Sequence, residues 1–452
     1  MKKFCPPAFV KGDIGAPGSK SSMQRAILCA ALASDGGESL LRRPSDCADA
    51  RAAAALVEGL GARVEWRHSV LSLGGGILGS MDSADGGAAH GGAAAPAEPP
   101  ALRLCCGESG FLMRTVAPVA CLLGRPVVLE AEGSLAARPV AMLEAPLRSL
   151  GAACSTNGGL PPVRLCGPLP GGEIEVDAST SSQFLTGLLI ALPLAGHDSI
   201  LHVARLVSRG YIDLTIDTMR SFGVELSRSP DFSRFDIPGR QKYHSADFTV
   251  EGDWSGAAFL LVAGAVACAP GSSLAVEGLD LKSAQPDRAI LDALALSGAG
   301  AAAKNGRLEL SAPAAGTGRG TSLRAFDFDA TDCPDLFPPL ACLAAAAEGR
   351  SRIKGALRLK GKESDRAAAL ADEFGRMGIP VRVDGDLMCI EGGGGRIRGG
   401  RVDARNDHRI AMAAAVAALV SEQGVEIEGA ECVGKSWPSF FEDLGSISSP
   451  RY

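Results

Sequence analysis

A helix-end signature recurs six times along the 452-residue chain and limits what it can fold into. Its copies are Val57-x-x-Leu60-Gly61, Leu147-x-x-Leu150-Gly151, Met219-x-x-Phe222-Gly223, Leu294-x-x-Ser297-Gly298, Phe374-x-x-Met377-Gly378 and Phe441-x-x-Leu444-Gly445. Apolar residues three apart share a helix face, and a glycine just beyond them is the left-handed residue that ends the helix. An apolar residue or a strand-like alternation resumes after most of these glycines, as in Arg63-Val64-Glu65 and Pro380-Val381-Arg382-Val383. From Gly61 to Gly445 the spacing averages roughly 77 residues, long enough for a mixed helix–strand module with one such helix end per copy. The expectation is therefore an α/β (α+β) protein built from six repeated units, in the two to four domains that its length allows. The segment between Gly74 and Ala101 has no apolar periodicity and reads as a flexible surface insertion, with His90 solvated inside it. Gly392 to Gly400 reads as a shorter turn-like segment.

The polar clusters come next. Pro17-Gly18-Ser19-Lys20-Ser21-Ser22-Met23-Gln24-Arg25, Ser179-Thr180-Ser181-Ser182-Gln183, Lys362-Glu363-Ser364-Asp365-Arg366 and Asn406-Asp407-His408-Arg409 each sit at a helix start, most before an alanine- and leucine-rich run. A helix start exposes unpaired N–H groups and the positive end of the macrodipole, so each is a potential anion site. Four such sites bearing Lys, Arg, Ser and Gln suit a small substrate with several negative charges. Net charge is −6, which excludes a general basic surface for nucleic acid, so anion binding must rest on local focusing. Three Tyr and three Trp are too few for base-stacking platforms.

The thirteen cysteines include no CxxC pair and no Cys/His cluster at zinc spacing, which fits reduced structural thiols. The apolar stretch near 257–270 is shorter than the ~18 residues a membrane span needs. A basic Met1-Lys2-Lys3 is followed by Pro6-Pro7 in place of a signal-peptide apolar core, so the expected setting is the cytoplasm.

Read singly, the clusters leave alternatives open. Lys20-Ser21 after Gly18 has the look of a phosphate loop, but the P-loop needs glycine where Ser19 stands. The turn Cys106-Gly107-Glu108-Ser109-Gly110-Phe111-Leu112-Met113-Arg114 could let backbone N–H groups approach a ligand, and a structural turn explains it equally well. Ser181-Ser182-Gln183 carries more polar groups than one N-cap requires. Asp335, in Asp332-Cys333-Pro334-Asp335, and Glu363, flanked by Lys362 and Arg366, set carboxyl groups beside cations, a pattern suited to proton handling next to a held anion. His408 by itself reads as structural.

Together these residues resemble the 5-enolpyruvylshikimate-3-phosphate synthase family along nearly the whole chain outside 68–101. The motifs that carry the resemblance are Pro17-Gly18-Ser19-Lys20-Ser21 with Arg25, Arg138-Pro139, Ser181-Ser182-Gln183-Phe184-Leu185-Thr186, Tyr211-Ile212-Asp213, Pro334-Asp335, Lys362-Glu363-Ser364-Asp365-Arg366, Asn406-Asp407-His408-Arg409 and Lys435 before Trp437-Pro438. The resemblance implies a two-domain inside-out α/β barrel of six βαβαββ-type units, three per domain. A shikimate-3-phosphate-binding domain would span 19–250, and 1–18 plus 251–452 would carry most phosphoenolpyruvate and acid/base residues, around a cleft that closes on substrate. Phosphoenolpyruvate would be held by Lys20, Gly110, Arg138, Gln183, Arg366, Arg409 and Lys435. Shikimate-3-phosphate would be held by Lys20, Ser21, Arg25, Ser181, Ser182, Gln183, Ser208, Tyr211, Asp335 and Lys362. Catalytic roles would fall to Asp335, which helps deprotonate the 5-hydroxyl, to Glu363, which protonates the methylene carbon, and to Lys20. The implied chemistry uses no metal or organic cofactor and no partner beyond the two substrates, in a monomer.

The chain departs from the family pattern at Glu108, where Asn is usual, at Phe111 and Thr115, where Thr and Pro are common, at Ser208-Arg209-Gly210 in place of Ser-Lys-Pro, and at Gly361 before Lys362. Three other functions would demand different residues. The sister UDP-N-acetylglucosamine enolpyruvyl transferase would show a characteristic cysteine loop, which is not recognisable here. A P-loop phosphotransferase would need Gly at position 19. A non-catalytic anion-binding relative would have no use for Asp335, Glu363 and Lys20 together.

Overall fold

The structure is a computed structural model that describes residues 1–67, 69–77, 100–311 and 323–451. Most of the expected insertion, including His90, lies outside the described residues. The chain divides into two compact units, one of Lys20–Pro44 and Asp49–Val250, the other of Met1–Ser19, Ser45–Ala48 and Glu251–Tyr452.

In the first of these, α1 (Lys20–Leu32) leads to strand Glu38–Arg42, and α2 (Ala48–Gly59) to the hairpin Arg63–Arg67 and Val70–Gly74. The sheet is completed by Asp247–Thr249, parallel to Glu38–Arg42, brought from the far end of the unit. The second repeat runs Leu102–Cys105, α3 (Gly110–Cys121), Val127–Glu130, α4 (Glu144–Ser149), Ala153–Asn157 and Leu160–Cys166. The third runs Glu173–Asp177, α5 (Gln183–Ala191), Ser199–Ala204, α6 (Arg209–Ser221), Ser227–Arg228 and Arg234–Ile237. Each sheet has one parallel pair followed by two antiparallel ones. That is the βαβαββ order.

The other unit repeats the plan with α7 (Trp254–Ala267), α8 (Ile290–Ser297), α9 (Phe337–Ala346), α10 (Arg366–Arg376), α11 (His408–Ala418) and α12 (Phe440–Ser446). Its first sheet takes Gly12–Gly15 as the strand parallel to Ser273–Glu277. The sixth repeat differs from its siblings. Among the described residues no hairpin follows α12; the edge of Val425–Glu428 is covered by Lys2–Cys5, and Ser448–Pro450 pairs with Ala8–Val10. An uncovered edge would expose a row of unpaired N–H and C=O groups, which the N-terminal strand satisfies.

Sequence explains which helices go inside. Every residue of α7, α9 and α11 is buried, and these three pack on one another. Helices apolar on all sides have no solvent face to offer. The second helix of each repeat is two-faced; α10 buries only Arg366, Ala369, Leu370, Glu373 and Phe374. Strands such as Glu173–Asp177 alternate exposed and buried residues, so one sheet face covers the helices and the other meets solvent. Close helix contact needs small residues: a Cβ on Gly187 of α5 would lie 2.7 Å from the Thr115 carbonyl of α3.

Five of the six signature glycines are left-handed, at Gly61, Gly151, Gly223, Gly298 and Gly378. Gly445 is not, because α12 runs through it to Ser446 and ends at the right-handed Ile447. Gly392 and Gly393 also differ from the expected turn, since they complete strand Leu387–Gly393 against Glu348 and Gly349. All thirteen cysteines are free thiols. Among the described residues no helix is long and apolar enough to cross a membrane, and no group of three or more His, Cys, Asp or Glu is placed to hold a metal ion.

Candidate active site

In the unit of residues 20–250 the candidate residues gather where α1, α3, α5 and α6 begin. Lys20 starts α1, and its ammonium pairs with Asp49 at 2.9 Å with both side chains largely buried. Gln24, one turn on, donates to the Asp49 carbonyl at 3.1 Å and to Ser109 Oγ at 2.9 Å. Ser109 also caps α3 by accepting from Leu112 N–H. Arg25 is 2% exposed. It donates to Thr215 Oγ1 at 2.8 Å, the Ser21 carbonyl at 2.8 Å and the Tyr211 carbonyl at 3.1 Å, while its plane lies over the Phe111 and Tyr211 rings. Ser208 takes a left-handed conformation (φ 56°) immediately before α6 and is buried. Ser182 precedes α5 and Ser181 Oγ accepts from Gln183 N–H.

Gly110, Arg138 and Gln183 converge through a residue the sequence reading quoted but gave no role. Arg114 donates to Gln183 Oε1 at 2.7 Å, to the Gly110 carbonyl at 3.4 Å and to the Pro139 carbonyl at 3.0 Å. Gly110 fits because it has no side chain: a Cβ there would lie 2.8 Å from Arg138 Cζ and 2.9 Å from Arg114 Nη1. Arg138 is 8% exposed, and its Nε is buried with no hydrogen-bond partner among the described residues. A buried donor of that kind costs free energy until an acceptor arrives.

In the other unit the candidates form one ionic network. Arg366, wholly buried at the start of α10, donates to Asp335 Oδ1 at 2.8 Å, Glu363 Oε2 at 2.6 Å and Asp407 Oδ2 at 3.0 Å. Asp407 caps α11 by accepting Arg409 N–H at 3.0 Å and also accepts from Ser364 Oγ at 3.0 Å. Arg409 returns to Asp335 Oδ2 at 3.2 Å and bonds the Ser255 hydroxyl at the start of α7. Lys362 Nζ lies 3.4 Å from Asp335 Oδ1. Lys435 is tied in less directly, donating to the Asn406 carbonyl at 2.7 Å.

The electrostatics follow from this geometry. Burial alone would push the Asp335 carboxyl up, but Arg409, Lys362 and Arg366 outweigh it and hold the group well below the usual carboxylate range. Asp335 is therefore ionised at neutral pH, with 23% of its side chain still exposed to meet a ligand. Burial would likewise lower Arg366, and Asp407, Glu363 and Asp335 raise it instead. Lys362 is pushed down by burial in spite of Asp335. An ionised carboxylate among cations can accept a proton, the cations can hold an anion, and a second carboxyl group, that of Glu363, shares the same arginine.

Buried helix starts that carry arginine, set on five βαβαββ repeats and a sixth without the hairpin, define the structural class in which the solved relatives fall. A solved enolpyruvyl transferase, NikO from Streptomyces tendae, superposes with a TM-score of 0.73 over 99% of both chains, at 16% identity that speaks for the fold alone. EPSP synthase from Acinetobacter baumannii superposes with a TM-score of 0.76 at 26% identity, again over 99% of both chains. The 3-phosphoshikimate 1-carboxyvinyltransferase of Aeropyrum pernix is 39% identical over 443 residues, covering 98% of this chain and 95% of that protein. The family described as EPSP synthase (3-phosphoshikimate 1-carboxyvinyltransferase) matches residues 5–444. The chain belongs to that family.

Proposed function

We propose that this protein transfers the enolpyruvyl group of phosphoenolpyruvate to the 5-hydroxyl of shikimate-3-phosphate and releases phosphate, the step of the shikimate pathway that leads toward chorismate and the aromatic amino acids. The observation that carries the reading is Asp335, a carboxylate kept ionised by Arg409, Lys362 and Arg366 and linked through Arg366 to Glu363. Asp335 takes the proton of the 5-hydroxyl as its oxygen attacks C2 of the enol, while Glu363 gives a proton to the methylene carbon. The tetrahedral adduct then returns a proton from its methyl group to Glu363 as its C–O bond to phosphate breaks, which restores the double bond, and the proton taken by Asp335 leaves with the phosphate.

Lys20, Gly110, Arg138, Gln183, Arg366, Arg409 and Lys435 hold phosphoenolpyruvate on this reading, and Lys20 also supports the leaving phosphate. Shikimate-3-phosphate is held by Lys20, Ser21, Arg25, Ser181, Ser182, Gln183, Ser208, Tyr211, Asp335 and Lys362. The buried cations Arg25 and Arg138, the first bonded to neutral oxygens and the second with a buried unpartnered Nε, support anion binding by residues 19–250. The protein acts as a cytoplasmic monomer, for which sedimentation should give one species near 46.2 kDa. The deciding experiment measures phosphate release from phosphoenolpyruvate with and without shikimate-3-phosphate. Release that does not depend on the acceptor would sink the proposal.

A further inference from the structure

We infer that Glu108 is a positioning residue that sets Arg138 against Gly110 and thereby governs binding of the anionic donor; this rests on the reading of Arg138 as a phosphoenolpyruvate ligand. Strands Leu102–Cys105 and Val127–Glu130 run parallel, and their ladder continues past both strand ends. Cys106 N–H donates to the Glu130 carbonyl and Glu132 N–H to the Gly107 carbonyl, each at 2.9 Å. The next stitch is made by a side chain. Glu108 Oε2 accepts both the backbone N–H and the hydroxyl of Ser134, each at 2.8 Å.

Gly133 permits this approach. It is left-handed (φ 48°), and a Cβ on it would lie 2.4 Å from the Glu108 carboxyl carbon. From the stitch the two arms separate and meet again. One reaches Gly110 two residues later, where α3 begins. The other passes through the short helical turn Gly133–Ala137 to Arg138, whose N–H closes on the Leu135 carbonyl at 3.0 Å. At the meeting point Gly110 and the Arg138 guanidinium are close enough that a Cβ would sit 2.8 Å from Cζ.

The loop of contacts is thus closed at one end by Glu108–Ser134 and at the other by Gly110–Arg138. Arg138 Nε has no protein acceptor among the described residues, so the backbone arm and packing against Gly110 help to place its guanidinium. Release of the stitch frees that arm. The resemblance leads one to expect Asn at this position, where Glu108 stands instead.

The test is steady-state kinetics on the full chain with Glu108→Ala, Glu108→Gln and Ser134→Ala. Glu108→Ala should raise KM for phosphoenolpyruvate about tenfold while KM for shikimate-3-phosphate and kcat stay within about threefold, since misplacing one anion ligand weakens one substrate. Glu108→Gln keeps an acceptor oxygen and should restore KM to within about twofold of the parent. Ser134→Ala should move KM in the same direction, and adding it to Glu108→Ala should cost nothing more. Equal rises in both KM values, a fall in kcat alone, or Glu108→Gln as impaired as Glu108→Ala would each overturn the inference. If Glu108→Ala does not fold, Glu108→Asn replaces it, and an unchanged KM for phosphoenolpyruvate in that variant overturns the inference equally. A parent protein without acceptor-dependent phosphate release would instead remove the functional reading beneath it.

Discussion

The two groups of helix starts use arginine in opposite ways. In residues 20–250, Arg25 donates to a hydroxyl and two carbonyls, and Arg114 to two carbonyls and an amide oxygen. These partners are neutral oxygens that meet the guanidinium geometry. In residues 251–452, Arg366 and Arg409 donate to Asp335, Glu363 and Asp407. There the guanidinium groups face carboxylates, and Asp335 among them is held ionised. On the proposed reading the first group attracts a substrate anion, and the second both moves protons and holds phosphoenolpyruvate.

That contrast should be most visible in turnover. Asp335→Asn and Glu363→Gln should each lower kcat by about two to four orders of magnitude, the range for general acid–base groups. Arg25→Met should act mainly on the affinity for shikimate-3-phosphate. Rapid-quench measurement at saturating substrates separates the two, and a loss of kcat in Arg25→Met as deep as in Glu363→Gln would erase the distinction.

Both groups were legible in sequence to the same depth, for the same reason. A helix start announces itself by a cap followed by an apolar run, which is why Lys20, Ser181, Lys362 and Asn406 marked their elements. What holds the charged side chains was not legible. Thr215 lies 190 residues from Arg25, and Ser255 lies 154 from Arg409. Single hydroxyls at such separations leave no pattern. Asp49 and Arg114 were equally silent, and Asp407 stood in a marked cluster without any sign that it would serve Arg366. At fold level the repeat was visible because a left-handed glycine after an apolar pair has one common use. It misled at Gly445, where the helix simply continues and no hairpin follows.

Stability should follow the ionic group. Arg366→Met or Asp407→Asn leaves a buried charge without its partner and should cost about 3–5 kcal/mol in urea denaturation. Arg25→Met gives up hydrogen bonds to neutral groups, a loss of about 1–2 kcal/mol. The pH dependence has a definite sign. Asp335 has a lower pKa in the folded protein than its ordinary 3.8, so its contribution is complete above that value and fades as pH falls below it. The stability gap between the parent and Asp335→Asn should therefore be level from neutral pH down to the ordinary value and shrink beneath it. A gap that widens on acidification would mean that Asp335 is not held ionised.

Affinity should divide next. Arg409→Leu should weaken phosphoenolpyruvate by about ten- to a hundredfold with a smaller effect on shikimate-3-phosphate, and Arg25→Met should do the reverse, the scale set by one charge-assisted bond. Equal weakening of both ligands by each variant, measured by calorimetry, would reduce the two groups to a shared structural role.

The smallest effect should come from charges that look most alike in both units. Where the parallel strand pair of a repeat is bridged by an ion pair, as by Arg42–Asp247, Arg205–Asp177, Arg352–Asp327 and Arg401–Glu426, the pair sits on the solvent face of the sheet. Arg42 and Asp247 keep 48% and 54% of their side-chain surface exposed, so solvent screens them and holding two long side chains together offsets much of the attraction. Replacing both with Ala should change stability by less than about 1 kcal/mol and leave both KM values unmoved, and the same holds for Arg401 with Glu426 in the other unit. Short distances alone would rank these pairs with the Arg366 network, since Arg42 and Asp247 stand 2.6 Å apart and so do Arg366 and Glu363. If thermal melts of the Arg42/Asp247 double variant fell as far as those of Arg366→Met, burial would not be what separates a structural charge from an ornamental one, and the contrast between the two helix-start groups would lose its physical basis.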